Sequence, residues 1–157
     1  MKKRTAFIGA ILSLIPLGQP LFIKTGIALS TVGLTTFVSE KVNANSAVSY
    51  AISAKNFFDL GDFANALNDL NKAIEIYPQD YYLYYLRSYV KKQIKDFYGE
   101  ISDLNKAIER YRFDYELFIN RGTAKYNLGE KSSACNDWRE AFNLGYQEAA
   151  LWLEEAC

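Results

Sequence analysis

The side chains of this chain that could do chemistry are few and clustered. Two cysteines, Cys135 and Cys157, both fall in the last 23 residues. Two arginines, Arg87 and Arg121, recur 34 positions apart, each followed by a small residue. One stretch, YYLYYLRSY from Tyr81 to Tyr89, is crowded with tyrosine. There is no histidine, which removes the usual general base at neutral pH, the commonest zinc ligand and every Ser-His or Cys-His nucleophile arrangement. Two cysteines without histidine do not make a metal site, and no Gly-rich phosphate loop or paired-carboxylate pocket signature is present. Neither catalysis nor a cofactor is expected. The tyrosines point instead to recognition, because each combines a large apolar ring with a hydroxyl and loses little conformational entropy when fixed. A packed core is the competing use of the same rings, and both uses suit Tyr82, Tyr85 and Tyr89.

The elements that must position these residues are visible as a repeat. DLNKAIE occurs at Asp69 to Glu75 and again at Asp103 to Glu109, and three blocks of 34 residues line up without a gap over 47–80, 81–114 and 115–148. In the second half of each block apolar residues recur at helical spacing: Leu67, Leu70 and Ile74, then Ile101, Leu104 and Ile108, then Cys135, Trp138 and Phe142. The first half is another helix, ended by Gly61, by Lys95-Asp96 or by Gly129, where the chain must turn. A fixed period of this length means a solenoid of helical hairpins, since a hairpin cannot bury its apolar stripe alone and must stack it on a neighbour.

These blocks resemble the tetratricopeptide repeat. In the first block Ala54, Gly61, Phe63, Ala66, Leu70, Ala73 and Pro78 meet the family pattern. The third keeps Gly122, Leu128, Gly129, Ala134, Trp138 and Ala141, and the second Tyr84, Ser88, Phe97, Leu104 and Ala107. The second block departs at Glu100, where a small alanine is usual, and at Arg112, where the first block has proline; looser packing, or a Glu100 that snorkels outward, is expected there. The resemblance implies an all-α fold: a right-handed superhelix of three helix-turn-helix repeats in a domain 45–157, closed by a capping helix over 149–157. In that cap Leu151 and Trp152 are expected to face inward and Glu154 and Glu155 to face water.

The family's concave face is lined by fixed places of each unit. Here they are Val48, Ala51, Lys55, Phe58 and Asp59, then Tyr82, Tyr85, Tyr89, Lys92 and Gln93, then Glu116, Ile119, Thr123, Tyr126 and Asn127. The resemblance implies a partner-binding groove for a peptide or helix of another protein, and the residues singled out for it are Lys55, Phe58, Tyr82, Tyr85, Tyr89, Lys92, Ile119, Tyr126 and Asn127. Family members that clamp a terminal carboxylate do so with lysines, asparagines and an arginine. Ala51, Leu86 and Glu116 occupy three of those places here, so that activity does not carry over. Arg87 and Arg121 are read as structural, because a repeated arginine in a solenoid answers a repeated neighbour.

The N-terminus differs in kind. MKKR runs into the apolar stretch TAFIGAILSLIPLGQPLFI, then Lys24, then GIALSTVGLTTFV, ending in Val42-Asn43-Ala44. Residues 1–44 fit an export signal cleaved after Ala44, with a membrane anchor through residues 5–38 or a structured cytosolic segment as alternatives. Export would place the chain in a periplasm or an equivalent lumen, an oxidising compartment in which Cys135 and Cys157 could bond; closing that loop would contribute roughly 3 kcal/mol.

Lysine plus arginine and aspartate plus glutamate balance at 18 each. The first 44 residues take five of the bases (Lys2, Lys3, Arg4, Lys24, Lys41) and one acid (Glu40), leaving 13 basic against 17 acidic. A mildly acidic remainder does not suit a nucleic-acid partner. Two functional classes stand: a binding adaptor, exported or tethered to a membrane, and a structural protein that self-associates through its solenoid surfaces. An enzyme accessory subunit is the least favoured reading.

Overall fold

A computed structural model describes the backbone of residues 31–157 and the side chains from residue 45 onward; the apolar N-terminal stretch assigned to targeting falls largely outside the described residues. Residues Val38–Cys157 form one compact unit. Among the described residues there are helices only: α1 Thr31–Asp59, α2 Phe63–Ile76, α3 Tyr81–Gln93, α4 Phe97–Arg110, α5 Tyr115–Asn127, α6 Lys131–Asn143 and α7 Ala149–Ala156. None is long and apolar enough to cross a membrane. Helix α1 passes through Ala44 and Asn45 without a break. Helices α1 to α6 form three hairpins, with α1 beginning at Thr31, ahead of the first 34-residue block, and α7 follows them as the short terminal helix.

Local chemistry sets the helix ends. Asp62, Asp80, Asp96 and Asp114 stand one residue before α2, α3, α4 and α5, and each carboxylate accepts a backbone N–H of the first turn. This satisfies donors that the helix cannot satisfy itself. The turns inside the first and third hairpins pass through Gly61 (φ +77°) and Gly129 (φ +83°), the left-handed region where glycine has no Cβ penalty. The second hairpin makes the same turn with Lys95 at φ +59°.

The core is carried by the small residues of the repeat. Ala66, Ala73, Ala107, Ala134 and Ala141 are fully buried, as close helix approach requires. Small residues face large ones across the hairpins: Ala54 shares a cluster with Leu70, and Gly122 faces Trp138. A Cβ on Gly122 would lie 2.7 Å from the indole Nε1 of Trp138, so the larger ring on α6 is accommodated by removing the side chain from α5.

DLNKAIE recurs because its leucine, asparagine and alanine each have a repeated task. Leu70 and Leu104 fill the core, and Ala73 and Ala107 let helices approach. Asp103 accepts from Arg87 of its own hairpin at 2.6 and 2.9 Å and pairs with Lys91 at 2.8 Å. Asn71 accepts from the same Arg87 at 2.7 Å, which links hairpin one to hairpin two. One period later, Asp137 takes Arg121 and Lys125, and Asn105 accepts from Arg121 at 2.7 Å. Asp103 and Asp137 are buried, and each has two cations to meet its charge. The two arginines thus have the structural role read from their spacing.

Two expectations fail. Glu100 does not reach outward; it is 1 % exposed, and its Oε2 has no hydrogen-bond partner. Its place on α4 corresponds to the fully buried Ala66 and Ala134, so the helical register points it into the hairpin interface, and its short stem, unlike that of a lysine, cannot bring the head back to water. Leu151 does not face inward but is 61 % exposed, while Trp152 packs on Trp138 and Tyr146 at 5.8 and 5.7 Å. On neighbouring positions of a short helix only one of the two can face α6, and the larger ring takes the contact. Glu154 and Glu155 are exposed. Cys135, buried on α6, and Cys157, after α7, form a disulfide with Cα atoms 5.9 Å apart, closing the terminal helix onto the last hairpin.

Candidate groove between the first and second repeats

Helices α1 and α3, the first helices of the first two hairpins, bound a cavity of about 260 Å³. Its floor is apolar, made by Ala51, Ala54, Leu70, Leu86 and Val90; its walls are Phe58, Tyr82, Tyr85 and Tyr89, with Lys55 and Asp59 at the rim. The aromatic walls touch one another. Phe58 lies 5.3 Å from the Tyr89 ring and 5.6 Å from Phe63, and Tyr82 lies 5.8 Å from Tyr85. Spacings of three and four residues put Tyr82, Tyr85 and Tyr89 on one stripe of α3. Tyr82 and Tyr89 remain 50 % and 43 % exposed, while Tyr85 between them packs on the cluster of Tyr84, Leu104, Ala107 and Leu117. Tyr84, one position off it, is buried, donates to the Pro78 carbonyl and carries Arg110 over its face.

Polar contacts around the cavity are specific. Lys55 pairs with Asp59 one turn along α1. Tyr85 donates its hydroxyl to Glu116 on α5 at 2.9 Å. Burial, that hydrogen bond and the charges of Glu116 and Asp114 hold the Tyr85 phenol well above its ordinary value, so it stays a donor at any physiological pH. Lys92 donates to the Asn120 side chain at 3.0 Å.

Of the residues singled out from sequence, Lys55, Phe58, Tyr82, Tyr85 and Tyr89 come together in this cavity. Lys92 lies beyond it, held by Asn120. Ile119 is half-buried on α5, Asn127 is exposed at the end of that helix, and neither lines the cavity. Tyr126 packs its ring on Trp138 at 5.5 Å, with Lys131 above it, away from the other tyrosines. The sequence reading missed Leu86 and Val90 as floor residues and missed the bond from Tyr85 to Glu116. Hydrophobic spacing along α3 could have found the first two, but a contact between residues 31 apart on different helices leaves no local signal.

Comparisons with known proteins agree with this geometry. Residues 47–80 match the family model of the tetratricopeptide repeat, with the same limits as the first block. The first tetratricopeptide domain of Spaghetti (RPAP3), solved bound to the HSP90 peptide SRMEEVD, is similar with a TM-score of 0.67 at 22 % identity, covering 72 % of this chain and 91 % of that one. The Arabidopsis OM64 tetratricopeptide domain gives 0.67 at 21 %, covering 72 % and 94 %. The TPR2B domain of yeast Sti1, solved in its pHsp70 complex, gives 0.65 at 24 %, covering 71 % and 95 %. No curated protein sequence matches the chain. Residues 47–80 thus match the tetratricopeptide repeat, and the chain has the fold of tetratricopeptide-repeat domains.

Proposed function

We propose that this protein is an adaptor that binds a peptide or helix of another protein across the faces of α1 and α3, without catalysing a reaction. The observation that carries this reading is the cavity walled by Phe58, Tyr82, Tyr85 and Tyr89, in which Phe58 and Tyr85 rest on the core while Tyr82 and Tyr89 stay largely exposed. Desolvated aromatic anchors in such pockets typically supply most of an interface's energy. Solved relatives in fold hold chaperone peptides, which supports a peptide as the kind of ligand. The adaptor is further proposed to act after export to a periplasm or similar lumen, with residues 1–44 removed or retained as a membrane tether. The basic and apolar N-terminal sequence supports this, as does a disulfide between Cys135 and Cys157, which suits an oxidising compartment.

Photo-crosslinking in the native host tests both parts. A photoreactive residue at position 82 should capture a partner protein, and one at position 98, where exposed Tyr98 stands on α4 outside the cavity, should not. Mass analysis of the captured protein then reads whether its chain begins at Asn45. Capture from position 98 alone would move the site to another face, and a cytosolic chain retaining Met1 would remove export.

A further inference from the structure

The proposed groove carries its charges in an order that defines the partner more closely. The lysine at its rim, Lys55, is paired with Asp59, and Lys92, beyond the cavity, donates to Asn120. At the other end, where α3 and α5 begin, stand Asp80, Asp114 and Glu116. Asp80 and Asp114 are occupied as helix caps, accepting from the backbone of Tyr82 and Glu116. Glu116 is exposed, and among the described residues its carboxylate accepts one hydrogen bond, from the neutral phenol of Tyr85. Three described cations around this end are engaged elsewhere: Lys92 donates to Asn120, whose own amide donates to the Glu116 carbonyl, Arg110 donates to the Pro78 carbonyl and lies over Tyr84, and Arg112 lines a separate cavity with Glu109 and Glu140. The Glu116 carboxylate therefore stands next to the apolar pocket through its bond to Tyr85, and no cation among the described residues forms an ion pair with it. At about 260 Å³ the pocket is below the roughly 300 to 1,000 Å³ of small-molecule sites, a size suited to one side chain rather than to a whole ligand.

We infer that the groove recognises an internal segment of a partner protein, seating an aliphatic or aromatic side chain between Phe58, Leu86 and Tyr89 and laying a lysine or arginine against Glu116. This rests on the adaptor reading above and narrows it: the ligand is cationic and apolar, not the acidic chain end held by carboxylate-clamping repeats. The pocket supplies affinity through desolvated rings, and Glu116 supplies discrimination, because an acidic side chain placed there meets Glu116 and Asp114 with like charge.

Three end-blocked fluorescent peptides test it by anisotropy against the folded protein: one alternating leucine and lysine, one alternating leucine and glutamate, and one alternating serine and lysine. At about 150 mM salt, where exposed charges more than about 8 Å apart are screened, the leucine–lysine peptide should bind at least about ten-fold tighter than either of the others. Unblocking its C-terminal carboxylate should not tighten it. Glu116→Lys, on an exposed position, should abolish the preference for lysine over glutamate, and Tyr89→Ala should weaken the leucine–lysine peptide. Equal binding of the serine–lysine peptide would reduce the effect to diffuse attraction and overturn the inference, as would a preference that survives Glu116→Lys. Tighter binding of the leucine–glutamate peptide, lost in Tyr89→Ala, would overturn the charge assignment while keeping the groove. Peptide binding indifferent to Tyr89→Ala, or no binding of any peptide, would overturn the groove together with it.

Discussion

The first and second hairpins share a backbone plan and fill it with different chemistry. In the first, Asp69 meets Ser53 at 2.6 Å and only a distant Lys72, and the place one turn further along α1 is Phe57, packed in the apolar cluster of Ala54, Ala66, Leu70 and Val90. In the second, the corresponding places hold Arg87 and Lys91, and both pair with Asp103. Where the first has Ala66 and Gly61, the second has the buried carboxyl of Glu100 and the left-handed Lys95. The hairpin geometry thus tolerates an apolar or an ionic interior, provided each buried charge is answered. What differs is how each hairpin responds to losing one partner, to pH and to strain.

The largest contrast should come from the buried ion pairs. Arg87→Ala leaves Asp103 buried with Lys91 alone and breaks the link to Asn71, and should cost about 3 kcal/mol in urea unfolding, because removing one partner of a buried pair strands the other. Ser53→Ala at the equivalent place should cost about 1 kcal/mol, the worth of one ordinary hydrogen bond. Equal losses would show that the ionic interior of the second hairpin is no more demanding than the first.

Glu100 sharpens the comparison through pH. Burial raises its carboxyl from 4.5 to about 7, with Asp96 adding to the effect and Lys92 opposing it. The folded chain keeps a proton that the unfolded chain releases, so stability should fall as pH rises between those values. Glu100→Gln keeps the neutral shape throughout. It should match the parent near about pH 4 and exceed it at about pH 8 by on the order of 1 to 2 kcal/mol. The same difference at both pH values would mean that the carboxyl does not titrate in this window. Ala66, in the first hairpin, gives its own repeat no such dependence.

The smallest effect concerns the turns. Lys95→Gly should stabilise by about 0.5 to 1 kcal/mol by relieving a left-handed lysine, and Gly61→Ala should destabilise by a similar amount. A Cβ on Gly61 has open space around it, so the second change isolates backbone strain from crowding. Thermal melts of the two variants moving in the same direction would show that strain is not what separates these turns.

Much of the fold was legible because it is local and periodic. The 34-residue period, the hairpins, the buried alanines and the structural arginines all follow from spacing, since a solenoid repeats one packing problem and each repeat must solve it with residues at the same places. The groove was half legible. Five of nine chosen residues meet in one cavity because they lie on α1 and α3, whose register the repeat fixes. Tyr126 carried the same signal, yet its ring lies on Trp138, because the third hairpin pairs Gly122 with a tryptophan large enough to offer that surface.

The repeat length, the turns inside the hairpins and the positions that had to be small were readable from spacing alone, for these depend on contacts between neighbours one helical turn or one repeat apart, whereas the start of α1 at Thr31 was not. Only the tertiary structure decided where Glu100 points, which of Leu151 and Trp152 is covered, and that Tyr85 reaches Glu116 while Lys92 is held by Asn120. Those outcomes turn on the direction of single side chains across helix interfaces. There a charge is stabilised or stranded by atoms 28 or 31 residues away in the chain, a separation at which no local spacing constrains the partner.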